Sequence, residues 1–333
     1  MTNLVWQIKY ESLPNIELNI GKYTAIYNEY ETIEEDLLTI VDGYFKRRNS
    51  NSKEVSIIDT LNQELVSHHL FESVIIDNNL IENEHLLGAS SILNKKIQRD
   101  FVNNLESNGY LQSINSLLED LLELLNYTDL PLRTKQFDIK QFVKMLKFEY
   151  DLKDDYTRLI VRIEQVLPLV IEELKKQHNN QLLLIYLYPE ANLSPKEQIR
   201  LKQLLISLDV NIIVLTGSMH FLAQQWKNNN YIRYDKQKLT SNFIDRLVWD
   251  APLNFEQLEI ENSLNQFTLT YQDKIEVHPT ISNYQIAPIM LFNAIDLYVG
   301  INYMQHCQHQ FNFDIDETLL PKTMFKYFSS YLK

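Results

Sequence analysis

The sequence is poor in several residues that mark familiar functions, and each shortage narrows the field. Among 333 residues there is one cysteine, Cys307, which rules out an internal disulfide and fits a reducing compartment. Only six glycines occur, scattered singly, and neither GxxxxGK(S/T) nor GxGxxG is present. A loop whose consecutive backbone N–H groups converge on a phosphate is therefore excluded. No charge-free run of about 18 apolar residues occurs. The N-terminus, MTNLVWQIKYESLPNIELNI, lacks a basic start followed by an apolar run, so neither a membrane span nor a secretory leader is expected and the expected address is cytoplasmic. Positive charge is also in deficit, with 31 Lys and Arg against 44 Asp and Glu, a net charge of −13. That excludes a protein basic all over, while leaving room for a local basic surface.

What is present belongs to a folded chain: 45% apolar and 23% charged residues, with length enough for two domains of about 150 residues. Charge is unevenly spread. Acidic residues crowd 29–36 (EYETIEED) and recur along 72–84, while basic residues cluster at Lys46, Arg47 and Arg48, at Lys95, Lys96 and Arg99, and between Arg133 and Lys147.

The first 45 residues alternate short apolar segments, LVWQIKY, IELNI and YTAIYN, with Pro14 and Gly21 at turns, which predicts a strand-rich start; VSIIDT adds another strand. From 60 to 177 the pattern reads as helical. Residues 86–106 carry Ile92, Leu93, Ile97, Phe101 and Leu105 on one stripe, SNG at 107–109 is expected to end that helix, and 110–125 to start the next. Two long helices so closely joined are expected to lie antiparallel with a narrow core of their own. Asp138 is a plausible N-cap for a short helix with Ile139, Phe142, Val143 and Leu146 on one face and Lys140, Lys144 and Lys147 on the other. The stretch 156–177 is a further helix with Pro168 as an expected kink.

The segment 180–216, NQLLLIYLYPEANLSPKEQIRLKQLLISLDVNIIVLT, predicts a buried strand, a helix and a second buried strand, a βαβ unit with parallel strands. Ser194, Pro195 and Glu197 supply cap, first-turn proline and capping-box partner. The connection after the first strand is PEAN, without a glycine, so the fold of a nucleotide-binding unit is present without its phosphate loop. Residues 251–333 form a C-terminal, mostly helical extension rich in Tyr, Phe, Met and Ile, expected to pack on the preceding domain or on a partner subunit.

Three smaller signals carry little. His306, Cys307 and His309 offer soft ligands, but a structural zinc site needs four and no second Cys/His pair is suitably spaced. His68 and His69 adjoin on an expected helix and so point in different directions. Ser218 and His220 follow a strand end, yet no GxSxG elbow surrounds the serine.

This order of elements resembles the Csn-two family of type II-A CRISPR adaptation modules, in a long variant with a C-terminal extension. The residues that carry the resemblance are EVSIIDT, the helix pair SILNKKIQRDFVNNLESNGYLQSINSLLEDLLELL and LLLIYLYPEANLSPKEQIRLKQLLISLDVNIIVL, within residues 1–240. The resemblance implies an α/β, NTPase-like head of residues 1–59 and 178–250 that hydrolyses nothing, an inserted helical leg of 60–177 and the extension of 251–333. It implies a homotetrameric ring that takes double-stranded DNA ends through a lysine-lined hole and assists spacer acquisition beside the CRISPR integrase and effector nuclease. Candidates for that wall are Lys95, Lys96, Arg99, Arg133, Lys135, Lys140, Lys144 and Lys147, since a basic inner surface grips phosphates without reading bases. The family's calcium site implies Glu119, Glu123, Asp129 and Asp138 here. Arg133 and Lys135 lie in the same stretch, and a hard cation that wants six to eight oxygens is opposed by them. The rival readings are a residual NTPase or nuclease, which turnover of ATP or DNA with magnesium or calcium would reveal, and a pure scaffold of the adaptation complex whose basic stripes are ordinary surface.

Overall fold

The computed structural model describes residues 4–10, 13–27, 33–46, 55–125, 132–148, 158–177 and 180–329. It divides into two compact units, 1–75 with 180–333, and 76–179. The architecture is α/β with helical parts.

The first unit opens with β1 (Leu4–Tyr10) and β2 (Leu13–Ile20), paired antiparallel with Trp6 opposite Leu18 and Ile8 opposite Ile16. Their alternation sends Trp6, Ile8, Ile16 and Leu18 into one core, as period-two patterning requires. Gly21 follows at a close approach: a Cβ there would lie 2.5 Å from the Asn228 side-chain oxygen. Next come β3 (Tyr23–Tyr27), α1 (Ile33–Lys46), β4 (Ser56–Asp59), β5 (Glu64–Leu65) and β6 (Phe71–Ile76). A four-stranded sheet takes the order β2-β1-β4-β5. Residues 64–65 and 71–76 are thus strands, and the helical reading of 60–177 begins too early: the β-branched and aromatic run Phe71, Val74, Ile75 and Ile76 prefers a pleated, half-buried setting. His68 and His69 lie in the turn before β6, not on a helix, and His68 Nδ1 is 2.8 Å from the Tyr44 carbonyl oxygen.

The second unit contains α2 (Asn78–His85), α3 (Ile92–Val102), α4 (Ser107–Glu123), α5 (Ile139–Met145) and α6 (Leu159–Gln177). Here SNG starts a helix instead of ending one. The break falls at 103–106, and the Ser107 hydroxyl donates to the Phe101 and Asn104 carbonyls, joining the end of α3 to the start of α4. The narrow core expected between these two helices is missing: on α4 only Ser107 is fully buried. The core runs instead along α6, where Ile160, Ile163, Val166, Leu167, Val170, Ile171 and Leu174 are buried at helical spacing, with Pro168 inside the helix.

The chain then returns to the first unit with β7 (Gln181–Leu187), α7 (Pro195–Ser207) and β8 (Asn211–Thr216). As the segment predicts, β7 and β8 are parallel, with Leu184 beside Ile212 and Tyr186 beside Val214. Ser194 N and Oγ both donate to Glu197 Oε2, at 2.9 and 2.6 Å. With β9 (Asn229–Arg233) and β10 (Lys236–Gln237) they complete a six-stranded sheet, β10-β9-β3-β8-β7-β6. Its centre is covered on both faces, which is why β8 reads as unbroken apolar residues.

The last part comprises α8 (Ser241–Trp249), α9 (Gln257–Tyr271), β11 (Thr280–Ser282), β12 (Ile289–Met290), α10 (Ala294–His306), β13 (Asn312–Asp314) and α11 (Lys322–Ser329). The three strands form a small parallel sheet, β12-β11-β13. One apolar cluster runs from Ala25 and Tyr27 of β3 through Tyr231 to Leu264, Tyr303 and Phe328. Gly300 lets α10 approach α9, since a Cβ there would meet the Phe267 ring at 2.7 Å. No helix among the described residues is long and apolar enough to cross a membrane.

Candidate nucleic-acid interface

Within the helical unit, buried carboxylates and caps fix the helices that carry the basic residues. Glu84, almost fully buried, accepts the backbone N–H groups of Ile92 and Leu93 at 2.6 and 2.9 Å, and the Ser91 hydroxyl accepts that of Asn94 at 3.0 Å. A carboxylate at a helix N-terminus satisfies otherwise orphaned donors and faces the positive end of the dipole. Asp138 caps α5, accepting the Gln141 N–H at 2.9 Å while the Gln141 side chain accepts the Asp138 N–H. Phe142 lies 5.4 Å from Phe101 between ring centroids, so α5 rests on α3 with Val143 buried.

The eight basic residues named from the sequence fall into two groups. Lys96 pairs with Asp100, and Arg99 reaches Glu173 of α6 at 2.6 Å, with the Glu173 side chain 1% exposed. Burial alone would raise the Glu173 carboxyl, but hydrogen bonds from Gln177 and Arg99 and the charges of Arg99 and Lys96 hold it below the usual range. The Glu173 hydrogen bond raises Arg99, and the Lys96 hydrogen bond lowers Asp100. Arg99 ties α3 to α6 and Lys96 is paired within α3, which reduces what the two offer an external phosphate. By contrast Lys95, Arg133, Lys135, Lys140, Lys144 and Lys147 are exposed and have no carboxylate partner among the described residues. Lys96 and Lys147 come together around an apolar cleft of about 370 Å³ floored by Leu93, Ile97 and Leu146.

The sequence reading did not single out the outer stripe of α4. Tyr110, Ile114, Leu117, Leu121 and Leu124 are 64, 36, 62, 58 and 74% exposed. Their 4-3-4-3 spacing is that of a coiled-coil seam and was legible in the sequence. It was hidden by the assumption that the seam faced α3.

The three described calcium candidates, Glu119, Glu123 and Asp138, do not converge. Glu119 and Glu123 stand exposed one turn apart on α4, the Asp138 carboxylate is engaged in its cap, and Asp129 lies outside the described residues. No group of three or more potential ligands occurs among the described residues.

In the first unit, the end of the βαβ segment is occupied by the protein's own anion. Glu190, from the PEAN connection, accepts the Gly217 N–H at 2.6 Å and the Thr216 hydroxyl at 2.8 Å. This carboxylate satisfies the polar groups that β8 leaves at its end and ties the connection after β7 to it. Its charge, after burial, adds to the rise in the Tyr23 phenol. The Ser218 hydroxyl donates to Gln198 Oε1 at 2.6 Å. His306 and His309 have separate partners, Arg246 and the Lys238 carbonyl for the first, Tyr231 and Arg233 for the second.

An α/β unit without a phosphate-loop motif, joined in one chain to a helical unit that carries exposed cations, is the class the geometry defines. No family model matches the chain, and no curated protein does. Among solved structures, the crystal structure of Stu0660 of Streptococcus thermophilus is similar over 99% of this chain and 100% of its own, with a TM-score of 0.58 and 15% identity. At that identity the likeness is one of fold.

Proposed function

We propose that the protein is a non-catalytic, sequence-independent binder of double-stranded DNA ends that works as a homotetrameric ring in CRISPR spacer acquisition, alongside the integrase and effector nuclease. The observation that carries this reading is the coincidence, within residues 76–179, of an exposed coiled-coil seam on α4 with six exposed cations that have no carboxylate partner among the described residues. Apolar stripes left in water mark interaction sites, and a seam spaced 4-3-4-3 suits a second copy of the same helix. Exposed cations on α3, α5 and the chain flanking α5 can contact phosphates without reading bases. The whole-chain likeness to Stu0660 and the resemblance of residues 1–240 support the same assignment. The lack of a GxxxxGK(S/T) or GxGxxG loop supports a role without nucleotide turnover. The reading does not require calcium.

The test is a mass measurement in solution joined to a salt titration of DNA binding. A tetramer is expected, with log affinity falling linearly in log salt and linear DNA loading in preference to covalently closed circles. Charge reversal of Lys140, Lys144 and Lys147 together should lower the salt slope by about 2.7, three phosphates' worth, at unchanged assembly mass. A monomer, or an unaltered slope in the triple variant, overturns the assignment.

A further inference from the structure

The C-terminal helices border an open polar cleft of about 420 Å³ that DNA binding leaves unused. Its walls include Phe243, Arg246 and Asp250 from α8 and its cap, Gln305 and His306 from α10, and Tyr327 from α11. Two facing helix stripes ordinarily close on each other with apolar side chains. Here the floor is apolar and buried, but the openings carry opposite charges.

Arg246 is held in place by neutral groups. Its Nη2 donates to His306 Nδ1 at 2.9 Å, its guanidinium carbon lies 5.6 Å from the Phe243 ring centre, and His306 stacks on that ring at 4.3 Å with 8° between planes. His306 Nε2 faces the Lys238 carbonyl at 3.1 Å, which fixes Nε2 as the protonated nitrogen and leaves Nδ1 to accept. Burial, then the Arg246 charge, pushes this imidazole down to about 4, so it stays neutral and does not repel the guanidinium. Arg246 thus has a fixed orientation and no carboxylate partner among the described residues. One turn away Asp250 is exposed and also has no cation partner, although an i, i+4 pair could form. The C-terminal turns of α8 and α10 both border the cleft, and their dipoles favour a cation near Asp250. Gln305, with no side-chain hydrogen bond to a described residue, adds an amide able to donate and accept.

We propose that this cleft binds a small zwitterion of the free amino acid class, its carboxylate on the Arg246 fork and its ammonium on Asp250. A planar guanidinium matches a carboxylate with two parallel hydrogen bonds. The volume lies in the range of small-ligand pockets, about 300–1,000 Å³. Two charges of opposite sign lining one cleft favour a ligand that carries both.

The experiment is calorimetric titration of the full chain with the free L-amino acids one at a time, with acetate, ethylamine and inorganic phosphate as single-charge probes. At least one amino acid should bind at least about tenfold tighter than every single-charge probe. Arg246→Ala and Asp250→Asn should each weaken that binding about tenfold, leaving DNA binding and assembly mass unchanged. Arg246→Lys, which keeps the charge and loses the fork, serves should the alanine variant fail to fold, and it too should bind more weakly. Absence of binding by every amino acid overturns the proposal. So does acetate or phosphate equal to the best amino acid, or affinity that survives both substitutions. None of these results bears on the DNA-binding assignment, whose cations lie elsewhere in the chain.

Discussion

The two units of the chain solve the problem of polar and apolar groups in opposite ways. In the first, the central strands are sealed: every residue of β8 is buried, and the Thr216 hydroxyl and Gly217 N–H at its end are taken by Glu190. In the second, α4 turns five apolar side chains outward, and six cations stand without carboxylate partners among the described residues. The difference lies in the central elements: the sheet strands of the first are closed off, whereas the second leaves the α4 stripe and these cations in water, where the proposed assembly would use them.

The sharpest way to break this contrast is to truncate one leucine in each. Leu184 is wholly buried in β7, so Leu184→Ala should cost about 2–5 kcal/mol in urea unfolding through lost burial and a residual cavity. Leu117, 62% exposed on α4, should cost no more than about 0.5 kcal/mol in the isolated subunit. The same Leu117→Ala should lower the assembly mass at micromolar concentration. A large loss of subunit stability at Leu117, or no change in mass, would put the seam inside the subunit's own core.

Such contrasts also show how far the sequence could be read. The βαβ segment was legible because its signals agree: an unbroken apolar run, Ser194, Pro195 and Glu197 in capping order, then a second run. The caps at Asp138 and the lysine face of α5 were legible for the same reason. The strand β6 was not, because Glu72 and Ser73 interrupt its apolar pattern, and the Ser73 hydroxyl is satisfied only by Asp42, far away in sequence, at 2.8 Å. The pairing of Arg99 with Glu173 spans 74 positions and leaves no periodic trace. Nor could residue spacing show that Glu190 folds back on Gly217, since that contact depends on how β7 and β8 end in space. The α4 seam was visible as a pattern, but which side of the helix would face water was a tertiary fact.

Acid should separate the units next. Burial first, and then Arg233, pushes the His309 imidazole down to about 4, as burial and Arg246 do for His306. Unfolded, both groups take up protons near pH 6.5, so between pH 6.5 and 4 the unfolded chain binds more protons than the folded one. Their contribution is present in full above pH 6.5, is lost as pH falls toward 4, and changes no further below that. Thermal midpoints measured from pH 7.5 to 4 should decline, and the decline should flatten when both histidines are replaced by glutamine. An equally steep decline in the double variant would assign acid sensitivity to other groups, among them, in the helical unit, Glu173, Asp100 and the His85 imidazole, which burial also lowers.

The smallest expected effect distinguishes two neighbouring lysines on α3. Lys95 is exposed and without a carboxylate partner among the described residues, whereas Lys96 is paired with Asp100 one turn along. A lysine that already faces a carboxylate releases fewer DNA counterions on binding, because approach of a phosphate must displace or repel that carboxylate. An exposed i, i+4 pair is worth only about 0.3–0.5 kcal/mol, so the contest is close and the pairing is a bias, not a lock. Lys95→Ala should therefore reduce the salt slope of DNA binding by about 0.9, one phosphate contact, and Lys96→Ala by less. Asp100→Asn should move Lys96 toward the behaviour of Lys95 and raise affinity at low salt. Equal slopes for the two lysines, unaffected by Asp100→Asn, would mean that pairing inside the subunit does not decide which cations meet DNA.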